Sequence, residues 1–82
     1  MKISGNQIKA ARALIGMEQS ELAKRAGVSI NTIRNMEAMG MGIVRVRLET
    51  LLRVQDALKS AGVLLFEANG EGPGVRLRKG QS

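Results

Sequence analysis

Asn31, Arg34 and Asn35 are the residues of this sequence whose chemistry and spacing ask for a partner. Two carboxamides and a guanidinium offer paired donors and acceptors, the groups that match adenine and guanine edges in a major groove and the phosphates beside it. At about 100° per residue, they fall with Ala38 on one side of a helix while Ile33 and Met36 fall on the other. A helix over 29–39 divided in this way buries an apolar stripe and turns amides and a cation outward. Gln19, Ser29 and Thr32 flank that outward stripe rather than lying along it, which suits them to backbone positioning instead of base reading.

Positioning such a helix takes a second one. From Gln19 to Met39 the chain reads QSELAKRAGVSINTIRNMEAM. Leu22, Ala23 and Ala26 supply an apolar face, Gly27 the freely rotating backbone of a sharp turn, and Ser29 a cap for the amides of the next helix. Two short helices joined by a tight turn are predicted.

Gln19, Leu22-Ala23, Gly27-Val28-Ser29, Thr32-Ile33 and Glu37 resemble, in type and spacing, the phage repressor and Cro-like (lambda-repressor-like) helix-turn-helix DNA-binding family. A looser likeness runs from roughly Ile8 to Leu58. The family often has Ser or Thr just before the glutamine; here that position is Glu18, whose carboxylate can interact with the helix N-terminus. The resemblance implies a mainly α, compact four- to five-helix domain that binds double-stranded DNA. It also implies that Arg12 pairs with Glu37, and that Arg45 and Arg47, in the loop after the recognition helix, touch the DNA backbone. The helical geometry bears on the first of these: Glu37 lies only about 40° from Ile33, on the buried side, where an unpaired carboxylate is costly.

The remaining elements follow in chain order. Ser4 can cap a helix from about Gly5 to Ile15, with Ile8, Ala11 and Ile15 facing a core and Gly16 ending it. Met17 packs under the next turn; every methionine except Met39 and Met41 reads as core. In residues 39–48 an alternation sets Arg45 and Arg47 against Val44, Val46 and Leu48, as in a short extended segment. From about Arg47 to Ala61 the pattern Leu48, Leu51, Val54/Gln55, Leu58 is helical, and Gly62 terminates it. The segments VLLFEA, NGEGPG and VRLRK then read as strand, turn and strand, a C-terminal β-hairpin before a frayed tail at Gly80 to Ser82. The division is a DNA-binding domain over 1–62 and a hairpin and tail over 63–82. Val63 and Leu65 point opposite to Leu64 and Phe66, so the first strand is apolar on both faces. An isolated hairpin is marginal in water, so Val63, Leu64, Leu65 and Phe66 are expected at a homodimer interface.

Composition narrows the function classes. Thirteen basic against seven acidic residues leave a net charge of +6, which favours a polyanion partner. The absence of cysteine and histidine removes disulfides, thiolate and imidazole metal ligands and histidine-dependent triads, and the scattered carboxylates form no evident dyad. No enzyme, catalytic residue, metal or cofactor is expected, and no apolar run approaches the roughly 20 residues of a membrane span. A cytoplasmic, homodimeric transcriptional repressor reading a pseudo-palindrome is the first reading. The alternative is a protein-interaction module, such as the antitoxin of a toxin-antitoxin pair, whose C-terminal strands bind a protein partner.

Overall fold

Local capping groups set several of the helix ends. The computed structural model of the chain describes residues 2–67 and 73–78, and in it four helices precede a two-stranded antiparallel sheet. They are α1 (Gly5–Ile15), α2 (Gln19–Ala26), α3 (Ile30–Ala38) and α4 (Leu48–Ser60), followed by β1 (Val63–Phe66) and β2 (Gly74–Leu77). Ser4 and Gln7 make a reciprocal capping box at α1: Ser4 Oγ accepts from the Gln7 amide at 3.1 Å, and Gln7 Oε1 accepts from the Ser4 amide at 2.8 Å. Glu18 stands at the N-cap of α2 without a side-chain cap bond, whereas Ser29 Oγ caps α3 by accepting from the Thr32 amide at 3.1 Å.

The apolar stripes meet in one core. Ile3, Ile8, Leu22, Ile33, Met36, Val54, Leu58 and Val63 are its largest fully buried side chains. Met17 is also buried, while Met39 and Met41 are exposed. The hairpin closes one side, packing on α1 and α4, with Val63 opposite Leu77, Leu64 opposite Arg76, Leu65 opposite Val75 and Phe66 opposite Gly74. Val63 and Leu65 turn toward the core; Leu64 and Phe66 turn away from it. The expected turn from Asn69 to Gly72 and the tail from Gly80 lie outside the described residues.

One expectation is corrected. The segment before α4 does not continue as an alternating strand: Val44 is buried, but Val46 and Leu48 are exposed along with Arg45 and Arg47. The Val44 amide is tied to the Ile3 carbonyl at 2.8 Å, and the chain then bends at Val46 to enter α4, which breaks the period of two. For the same reason Leu48, in the first turn of α4, lies outside the core stripe that Leu51, Val54 and Leu58 form.

Among the glycines of the described residues, Gly5 lies tightest against neighbouring backbone. A Cβ there would lie 2.4 Å from the Met36 carbonyl oxygen and 2.9 Å from that of Glu37, both rigid helical backbone. Gly5→Ala should therefore lower stability by roughly 2–3 kcal/mol. Gly74→Ala, where an added Cβ meets nothing within 4 Å, should stay within about 0.5 kcal/mol of the parent. Thermal unfolding of both variants checks this; equal midpoints would remove the claim that α1 and α3 meet backbone to backbone.

Candidate nucleic-acid interface

The turn between α2 and α3 is set by Gly27, whose φ of 70° is left-handed and strained for any side chain. The Val28 amide bonds back to the Ala23 carbonyl at 3.0 Å, and Ser29 starts the next helix at once. With Ile33 and Met36 buried against α2, the opposite side of α3 carries Asn31, Arg34, Asn35 and Ala38 into solvent. Thr32 is half-buried, its hydroxyl 2.9 Å from that of Ser29 at the exposed N-terminus of the helix. Among the described residues Arg34, Arg45 and Arg47 are exposed and have no carboxylate in ion-pair range; Glu21 and Glu49 engage Arg25 and Arg53 on their own helices.

What holds α3 in place is a buried charged cluster on its inner side. Arg12 Nε donates to Glu37 Oε2 at 2.6 Å and Arg12 Nη2 to Glu37 Oε1 at 2.7 Å, a two-pronged pair with side chains only 14% and 5% exposed. Arg12 Nη1 also donates to the Met17 carbonyl at 2.8 Å, and Gln19 Nε2 donates to Glu37 Oε1 at 3.1 Å. The hydrogen bond to Glu37 is the main cause that raises the Arg12 pKa above its ordinary value, so the guanidinium is charged at every accessible pH. Gln19, assigned to backbone positioning from its place in the sequence, thus spends one amide donor inside the protein and keeps its second N–H at the half-exposed start of α2.

The loop after α3 is held by the other end of α1. The Asn6 amide donates to the Gly40 carbonyl at 2.8 Å and the Gly5 amide to the Gly42 carbonyl at 3.3 Å, so the free N–H groups of a helix start become the anchor of the loop. Arg45 and Arg47 follow it, both exposed. Gln7, absent from the sequence-derived site residues, proves to be the link to the hairpin: its buried side chain donates to the carbonyls of Phe66 at 2.6 Å and Gly74 at 3.1 Å. The Ser4-x-x-Gln7 spacing signals the cap, but nothing local signals a bond 67 residues away.

Among the described residues no helix is long and apolar enough to cross a membrane, and no three carboxylates, imidazoles or thiolates gather where they could hold a metal ion. A helix-turn-helix family model matches residues 8–62, two thirds of the chain and all four helices but for the first turn of α1. No curated protein matches the chain.

Removing one side of the buried pair strands the other. Glu37→Leu alone should cost about 3 kcal/mol, at the low end for a buried pair because Arg12 retains some solvent. Arg12→Met combined with Glu37→Leu should cost less than either single change. Chemical denaturation through the full double-mutant cycle measures this, and a coupling energy indistinguishable from zero would make the two charges independent.

Proposed function

The chain belongs to the Cro-like helix-turn-helix family, whose members are DNA-binding regulatory domains rather than enzymes, and we propose that it is a homodimeric repressor reading a pseudo-palindromic site. The observation that carries the reading is the division of α3, with Ile33, Met36 and Glu37 locked inward and Asn31, Arg34 and Asn35 outward. These three read bases in the major groove. Gln19, Ser29 and Thr32 hold the backbone on one side of α3, and Arg45 and Arg47 neutralise phosphates from the loop.

Selection of bound sequences from a random DNA pool, repeated with variants and at several salt concentrations, tests the assignment. Arg34→Ala and Asn35→Ala should each cost roughly 1–3 kcal/mol and relax preference at one base pair. Neutral replacement of Arg45 or Arg47 should leave the selected sequence unchanged and lower the log–log salt slope by about one each. The same sequence and affinity from both α3 variants would mean that this helix is not the reader.

The dimer rests on surface left uncovered. Val63 has no exposure and Leu65 packs on the core, so both are spoken for inside the chain. Leu64 and Phe66 remain on the outer face, where Phe66 is 38% exposed and the Arg76 guanidinium lies 4.8 Å from its ring centre. A twofold partner on that face buries the rest and sets two recognition helices roughly 34 Å apart. Leu64→Glu or Phe66→Glu should therefore give folded monomers with weakened operator binding, and Val63→Glu should unfold the chain. Sedimentation of the parent protein as a micromolar monomer, with full DNA affinity and a half-length footprint, would rule the dimer out.

A further inference from the structure

The outer edge of β2 is an open sheet edge, away from α3. The Arg78 amide donates to the Gly62 carbonyl at 2.7 Å, which marks that pair as hydrogen-bonded. Antiparallel alternation then makes Leu64:Arg76 and Phe66:Gly74 the bonded pairs and turns the main-chain groups of Val75 and Leu77 outward. Among the described residues those groups have no backbone or side-chain partner outside the sheet. An edge of this kind is a template for an added strand.

Three observations say what would add. A cleft of about 490 Å³ runs beside the start of the strand, lined by Asn6, Ala10, Met41, Pro73, Gly74 and Val75 and mostly apolar. Leu77, on the same face of the sheet as Val75, is 50% exposed. On the opposite face Arg76 and Arg78 are exposed and have no carboxylate in ion-pair range among the described residues. Every second side chain of an incoming strand would thus meet apolar surface and every other one a guanidinium. A second copy of β2 fits badly, since registers centred on Arg76 or Leu77 would set arginine against arginine across the ladder. β1 has no charged residue and carries no such penalty.

We propose that the β2 edge binds an extended acidic segment of another protein, alternating carboxylate and apolar side chains, by strand addition at Val75 and Leu77. The site does not require the DNA reading to hold, and the two can fail separately.

The test uses the full chain and an end-blocked nonapeptide alternating valine and glutamate, with two controls: valine alternating with lysine, and the glutamates and valines sorted into two blocks. The alternating acidic peptide should bind on the order of ten-fold more tightly than either control and slow amide exchange at Val75 and Leu77 by a similar factor. Arg76→Glu with Arg78→Glu should abolish the preference for the acidic peptide. Val75→Pro, which removes an outward N–H that the hairpin does not use, should weaken the peptide by about ten-fold and leave the DNA footprint intact. Equal binding of the blocked peptide would overturn the proposal. So would peptide-induced protection at Asn31 to Asn35 in place of β2, since the carboxylates would then be standing in for phosphates on α3. Slowing of Val75 and Leu77 exchange by duplex DNA alone would also overturn it, by making this edge part of the DNA surface.

Discussion

A carboxylate inside a helix bundle cannot stay alone, and Glu37 is that carboxylate. Desolvating it costs several kcal/mol unless donors surround it, and the donors come from two other helices: Arg12 on α1 and Gln19 on α2. The orientation of α3 about its own axis is thereby tied to both neighbours. Apolar packing of Ile33 and Met36 alone would tolerate some rotation, because hydrophobic burial is non-directional. The guanidinium fork allows much less, since its two hydrogen bonds at 2.6 and 2.7 Å hold only over a narrow range of angles. Precision on the outer face of α3 is set from its inner face.

The other end of α1 acts on different partners by the same economy of groups. Its first amides serve as donors to the loop after α3, and its capping glutamine bonds to both strands of the hairpin. Gly5 lets α1 come near enough to do this. One helix therefore references both the element that presents side chains to solvent and the loop that follows it. The surface pairs Arg25–Glu21 and Arg53–Glu49, exposed and within one helix each, contribute little beside it.

Much of this was legible in the sequence. The limits of α1 follow from Ser4 and Gly16, and the turn before α3 from Gly27 and Ser29, because caps and left-handed positions depend on adjacent residues alone. The inward and outward sides of α3 follow from periodicity. Illegible were the features that depend on what distant backbone does. Val46 and Leu48 belong to an apolar alternation that the sequence supports and the bend before α4 breaks. Gln7 looks like an ordinary capping residue until the hairpin arrives beside it. Gly5 looks like a helix start of indifferent composition, and only the Met36 carbonyl oxygen, 2.4 Å from where a Cβ would sit, shows why a side chain is absent.

The way Gln7 and Gly5 are used bears on the order in which a ribosome can complete this domain. Contacts between α2 and α3 are local and can form as soon as those helices have left the exit tunnel. Gln7 cannot meet Gly74 until β2 has emerged, a separation of 67 residues. The α2–α3 unit would therefore exist early on a nascent chain, beside a loop that α1 can already anchor but without the sheet that covers α1 and α4. Final locking waits for β2, when closing a long chain segment is repaid all at once by Val63, Leu65 and the two carbonyls to which Gln7 donates. A nascent chain stalled before residue 74 would carry α3 with its outward residues in place and α1 and α4 lacking part of their cover, a form suited to chaperones.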